Sequence, residues 1–319
     1  MIANSLISAM PEGENIFLEE VLKGLRLRQR AIPPKFFYDD RGSALFERIC
    51  DTPEYYLTRV EVNILDRFGL DMVKLMGNIC TVLELGSGSA LKTPLVLRHL
   101  EKSSVYMPVD ICESQLTDSV YRLNALFPDI RFFPVCADYT RLPVSMVNYK
   151  IGRTIIFFPG STIGNATPVE AVQLLRHLSK LAGPNGGLLI GVDNKKSSAI
   201  LDAAYNDSQG YTAAFNLNLL VRMKEELNAE LDLSGFEHYA RYNNQLGRVE
   251  MHLVSKVRQS IRIGQEVFWF RKNETIHTEN SYKYDPQEFQ LLAHQAGWHF
   301  NMIWTDEAQH FNVYYLTLH

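Results

Sequence analysis

Residues Glu84-Leu85-Gly86-Ser87-Gly88 place an acid and two alternate glycines at the end of an apolar run that begins near Ile79. A continuous apolar run of this length reads as a buried parallel strand. Glycines directly after it let the backbone turn sharply and approach a ligand that a side chain would block. The third glycine of a dinucleotide fingerprint is missing, and no Gly-Lys-Ser/Thr of a phosphate loop follows. An acid ahead of Gly-x-Gly suits a nucleoside with a cationic tail better than a pyrophosphate, which points to S-adenosylmethionine. Asp110 lies 24 positions beyond Gly86, close to the roughly 20 at which an acid meets ribose hydroxyls, the reading preferred here over a cap for the following helix. Asp138-Tyr139 stand after a third apolar run, where a carboxylate and a ring suit adenine or, more plainly, a turn. After a fourth run, Phe158-Pro159-Gly160-Ser161-Thr162-Ile163-Gly164-Asn165 forms a loop with exposed backbone and the amide of Asn165, fit for a small polar substrate or for turning.

The elements that must position these groups follow a βα rhythm. Apolar runs at 79–85, 105–109, 130–135, 154–158 and 188–192 alternate with helical periods near 91–100, 113–126 and 168–181, the signature of a parallel α/β sheet. Thr167-Pro168-Val169-Glu170 reads as a capping box with proline at the first helical position. The rhythm changes after Asp193. Two helical stretches, 197–206 and 212–228, lead into alternating runs at 236–242 and 248–257, a hairpin about Gly264, and an extended run near 277–284. A capped helix from Asp285 and an antiparallel pair, 299–304 with 312–318, close the chain.

Bulk properties narrow the field. The chain has 319 residues, 46% of them hydrophobic and 21% charged, and a net charge of −4. It is long enough for one large domain or two intertwined ones, and its acidic balance argues against a nucleic-acid partner. The four cysteines have no metal or paired spacing, so buried thiols in a reducing compartment are expected. The nine histidines show no metal pattern either. Acids at Glu12, Glu14, Glu19 and Glu20 argue against a signal peptide, and no apolar run reaches membrane length. A cytoplasmic location without a membrane partner is the expectation.

Five parallel strands followed by an antiparallel pair resemble the seven-stranded, Rossmann-like sheet of class I methyltransferases. Segments 60–195 and 284–319 are expected to form this α/β cofactor-binding domain. Segments 1–59 and 196–283 are expected to form a second, α+β substrate-binding domain that caps the carboxyl edge of the sheet.

PPKFFYDDRGSALFERICDTPEYYLTR (33–59), ELGSGSALKT (84–93), FPGSTIGN (158–165), AYNDSQGYTAAFN (204–216), RVEMHL (248–253) and HTENSYKY (277–284) together resemble the histidine-specific Nα-methyltransferases of ergothioneine biosynthesis. The likeness covers nearly the whole chain, in order. It implies three methyl transfers from S-adenosylmethionine to L-histidine, giving the betaine hercynine, by a monomer. It implies cofactor contacts at Tyr38, Gly86, Lys92, Asp110, Asp138 and Tyr139, the last where a relative carries phenylalanine. It implies substrate contacts at Tyr55, Gly160, Asn165, Tyr205, Met251, Glu279 and Ser281, with Tyr55 and Asn165 nearest the reacting amine. Asn280 and Tyr282 replace smaller or apolar residues of the family, which bears on ring fit. Glu279 and Ser281 are two apart in an extended run, so they share a face, and a carboxylate with a hydroxyl can engage both imidazole nitrogens. Met251 would supply an apolar wall. The alternatives are an Nα-methyltransferase of tyrosine or tryptophan, and a cofactor-binding regulatory protein without turnover.

Overall fold

The computed structural model describes residues 6–8, 15–147 and 150–318; Glu12 and Glu14 lie outside them. The chain divides into two compact units: Leu57–Lys195 and Lys283–His319 with the N-terminal residues through Pro11, and Glu12–Tyr56 with Lys196–Tyr282.

The larger unit is built on a sheet of nine strands among the described residues. From Val105–Asp110 the order runs through Cys80–Leu85, Arg153–Phe158 and Gly187–Asp193, all parallel, to Phe311–Thr317 and His299–Thr305, which are antiparallel. Cys80–Leu85, Val105–Asp110 and Gly187–Asp193 are buried along their whole length, as continuous apolar runs require when helices cover both faces. The expected third strand is broken. Arg131–Phe132 and Val135–Cys136 pair separately with Val105–Asp110, because Pro134 between them has no N–H to donate to a ladder. Ile7–Ser8 add an edge strand beside Val135–Cys136.

Helix Glu113–Leu126 has the expected bounds. Pro168–Ala182 starts with the Thr167/Glu170 box: the Thr167 N–H donates to Glu170 at 2.8 Å and the Glu170 N–H to the Thr167 hydroxyl at 3.4 Å. The helix expected over 91–100 shrinks to Pro94–Leu97. Around it the backbone closes three-residue turns, Leu95 onto Lys92 and Leu100 onto Leu97.

The smaller unit holds a four-stranded sheet in the order Arg30–Ala31, Thr275–Tyr282, Arg248–Ser255, Phe236–Asn243. Its three long strands are antiparallel, and burial alternates strictly along Arg248–Ser255. Helices Ser198–Ala204 and Tyr211–Glu226 pack on this sheet. Gln259–Ile263 and Glu266–Phe270 form the hairpin about Gly264. No described helix is long and apolar enough to cross a membrane.

Candidate functional site

The residues expected at the site fall into two sets, one on each unit. In the larger unit the strand Cys80–Leu85 delivers the glycine turn. Gly86 has φ +65° and Gly88 φ +49°, conformations that side chains rarely adopt. The Gly86 N–H donates to the Val109 carbonyl at 2.8 Å, and the Gly88 N–H to the Asp110 carboxylate at 2.8 Å. The other Asp110 oxygen accepts from the Cys112 N–H at 2.9 Å. Asp110 thus ties the two strand ends together, and each of its oxygens keeps acceptor capacity for a ligand hydroxyl. Burial raises its carboxyl above the ordinary value, against the lowering by the N–H groups of Cys112, Gly88 and Ile111. A Cβ on Gly86 would face the edge of the Tyr139 ring at 3.9 Å, and that ring meets Phe158 edge-on at 5.5 Å. Asp138 accepts from the N–H and hydroxyl of Thr140, capping the turn Tyr139–Arg141. The Ser87 hydroxyl is buried here without a partner among the described residues, an orphaned polar atom that a ligand would satisfy. Bare backbone, an acid with spare acceptors, an aromatic ring and an orphaned hydroxyl fit a nucleoside.

Glu84, the acid of the strand, points elsewhere. Its Oε2 accepts from Tyr106 at 2.6 Å and Thr93 at 2.7 Å. Burial pushes its carboxyl up to about 7 despite these donors and Lys92. It locks the turn from behind.

Lys92 and Gly160 meet through a residue that motif reading passed over. The buried Glu61 carboxylate lies 2.6 Å from the Lys92 ammonium and accepts the Gly160 N–H at 2.9 and 3.1 Å. A Cβ on Gly191 would collide with Glu61, so a bare backbone on that buried strand makes its room. One sequence signal marked it: Glu61 is an acid on the buried stripe of helix Tyr56–Met76 that also carries Leu57, Ile64 and Leu65. Gly160 has φ +85° and Ser161 φ +57°; the Ser161 hydroxyl then accepts the Asp193 N–H at 2.9 Å. Asn165 ends the short turn Thr162–Asn165, half-buried, its side chain without a hydrogen bond among the described residues.

In the smaller unit the sheet register brings the other set together. Met251 stands opposite Glu279, and Val249 opposite Ser281. Directly opposed residues share a face, so the carboxylate, the hydroxyl and the buried Met251 lie side by side. Tyr205, at the end of helix Ser198–Ala204, donates its hydroxyl to Ser281 Oγ at 2.7 Å. Tyr55 meets Tyr205 edge-on at 6.1 Å and Phe46 at 6.1 Å; Tyr38 meets Phe46 and Phe215, each at 5.6 Å. Burial first, then the neighbouring Tyr205, Cys50, Tyr38 and Glu279, holds the Tyr55 phenol far above its ordinary value. It is a neutral hydroxyl at physiological pH, not a phenolate.

Asn280 and Tyr282 stand opposite Glu250 and Arg248, on the reverse face from Glu279 and Ser281. There Arg248 donates to the Tyr282 hydroxyl at 2.6 Å and pairs with Glu250 at 2.7 Å. They form a polar cluster behind the strand. Among the described residues no group of three or more His, Cys, Asp or Glu side chains is arranged to hold a metal ion.

Comparison with known proteins places the chain in a family. Residues 17–318 match the family described as histidine-specific, S-adenosylmethionine-dependent methyltransferases. A histidine N-alpha-methyltransferase of Mycolicibacterium smegmatis is 36% identical over 304 residues, 92% of each chain. Ergothioneine biosynthesis protein 1 of Schizosaccharomyces pombe is 26% identical over 90% of this chain and 39% of its own length. A 4-dimethylallyltryptophan N-methyltransferase of Claviceps purpurea is 26% identical over 96% of each chain.

Proposed function

This chain belongs to the family of histidine-specific, S-adenosylmethionine-dependent methyltransferases, and we propose that it trimethylates the α-amine of L-histidine to hercynine, as a cytoplasmic monomer serving ergothioneine synthesis. None of its four cysteines is joined in a disulfide among the described residues, which supports a reducing compartment. The observation that carries the substrate reading is the strand register that sets Glu279 and Ser281 on one face beside Met251.

When bound, S-adenosylmethionine supplies an electrophilic methyl on a cationic sulfur. Gly86, Asp110, Asp138 and Tyr139 would hold its nucleoside, with Lys92 and Tyr38 as further contacts. Glu279 accepts the N–H of a neutral imidazole. Ser281, with Tyr205 donating to its oxygen, acts as donor toward the second ring nitrogen. Those two contacts fix the ring and its tautomer, while Met251 walls it. Gly160 and Asn165 offer a carbonyl and an amide to the amino-acid end.

The attacking nitrogen must carry a lone pair, so the amine reacts unprotonated. Tyr55 serves it as a hydrogen-bonding hydroxyl, its phenol held above the ordinary value by burial. Rate then comes chiefly from alignment, for which intramolecular reactions suggest about 7–11 kcal/mol as a ceiling.

The test offers the protein S-adenosylmethionine with each amino acid separately and reads methylation by mass spectrometry. Histidine alone should be trimethylated. Turnover of tryptophan or tyrosine with histidine untouched would overturn the substrate, and cofactor binding with no turnover at all would favour a regulatory protein.

A further inference from the structure

The face that carries Glu279 and Ser281 depends on one irregularity. Ile276 pairs with Leu253 and His277 with His252, yet Glu279 pairs with Met251, so Thr278 is an extra residue in the ladder. Leu253, Met251 and Val249 share the buried face of their strand. On the opposing strand that face therefore reads Ile276, Glu279, Ser281. With unbroken alternation from Ile276 it would read Thr278, Asn280, Tyr282 instead, because a one-residue slip exchanges the two faces of a strand. Bulges re-aim side chains in this way.

The extra residue is pinned. The buried Thr278 hydroxyl lies 2.8 Å from Asn216 Oδ1 and 3.1 Å from the Met251 carbonyl. Asn216, wholly buried in helix Tyr211–Glu226, also donates from Nδ2 to the His252 carbonyl at 3.0 Å and to His238 Nδ1 at 2.9 Å. His238 Nε2 lies 2.9 Å from the Tyr205 carbonyl. A carbonyl only accepts, so Nε2 carries the proton and Nδ1 is the acceptor, which agrees with the orientation that Thr278 and His252 impose on the Asn216 amide. Burial lowers the His238 pKa, which keeps the ring neutral. Tyr205 in turn donates to Ser281. The chain of contacts runs from the bulge through one amide and one imidazole to the tyrosine that touches the far end of the same recognition pair.

We propose that Asn216 and Thr278 are positioning residues for substrate recognition: they lock the strand bulge that turns Glu279 and Ser281 toward the substrate, and through His238 they hold Tyr205 against Ser281. This rests on the histidine reading of the same face. A strand freed of the lock would sample the slipped register, with Asn280 and Tyr282 facing the ring.

Thr278→Val keeps the shape of the side chain and removes its hydroxyl, and Thr278→Ser keeps the hydroxyl. Calorimetry and steady-state kinetics should show Thr278→Val weakening histidine Kd and raising its KM by about tenfold or more. S-adenosylmethionine Kd should stay within about twofold of the parent, and Thr278→Ser should restore histidine KM to within about threefold. Unchanged histidine affinity in Thr278→Val, equal losses for both ligands, or no rescue by serine would overturn the proposal. If Thr278→Val does not fold, Asn216→Asp is read in its place; it keeps the acceptor for Thr278, loses both donors, and should show the same selective rise in histidine KM. If the parent turns over a different amino acid, the functional reading fails, and the same comparison made with that amino acid decides the lock on its own.

Discussion

The two units brace their candidate sites with different buried polar groups. In the larger unit the groups around the glycine turn are acids. Glu84 sits among Tyr106 and Thr93 with its carboxyl pushed up to about 7, and Glu61 is paired with Lys92. In the smaller unit the groups around the strand bulge are histidines and amides: His277 is lowered to about 4, His252 and His238 are lowered too, and Asn216 joins strand to helix. The His277 ring meets His252 at 4.8 Å and a tilt of 33°, and the His277 Nε2 is buried and unpartnered among the described residues. One unit uses charge-bearing groups to brace a glycine turn. The other uses neutral groups to fix a strand's register.

The sharpest way to break the comparison is to remove the buried acid that joins Lys92 to Gly160. Glu61→Ala leaves a partly buried ammonium and a backbone N–H without their acceptor, a loss that for a buried pair costs about 3–5 kcal/mol. Denaturant unfolding should show a drop of that size, together with weaker S-adenosylmethionine binding. A change below about 1 kcal/mol would show that the pair is dispensable.

The pH dependence separates the units next. Glu84 is raised from 4.5 to about 7, so its contribution to stability is fully present below 4.5 and is lost as pH climbs through 7. That displacement is worth up to about 3 kcal/mol. His277 is lowered from 6.5 to about 4, so its contribution is present above 6.5 and is lost as pH falls toward 4, by a similar amount. Glu84→Gln should flatten the loss as pH rises from 4.5 to about 7, and His277→Gln the loss as pH falls from 6.5 to about 4. Identical profiles for parent and variants would remove the contrast.

The smallest effect tests the two faces of one strand. Glu279→Ala should raise histidine KM by about 10- to 100-fold, as loss of a hydrogen bond to a charged group does, with cofactor affinity unchanged. Asn280→Ala, one residue away on the reverse face, should leave histidine KM within about twofold. Comparable losses would mean that both faces meet the substrate.

Much of this was legible in the residues. Apolar runs located the parallel strands because burial on two faces leaves no room for alternation. Gly86, Asp110, Tyr139 and the loop from Phe158 to Asn165 could be singled out from the residues alone because they stand where strands end, although turns and helix caps use the same residue types. The helix over 91–100 was overestimated: its periodicity was real, but Lys92 and Thr93 are engaged by Glu61 and Glu84, and regular helix begins only at Pro94. Glu61 left only the trace of an acid on an apolar stripe, and Thr278 left none, since a bulge is a relation between two strands.

The chain's own order of residues therefore determined the sheet, the glycine turn and the kinds of group available to each ligand, because local burial pattern and backbone freedom are written residue by residue. Which face Asn280 and Tyr282 occupy, which acid answers Lys92, and which side chains hold Tyr205 were decided only by tertiary structure. Strand register and buried hydrogen bonds join positions tens to more than two hundred residues apart, and no local pattern encodes such a pairing.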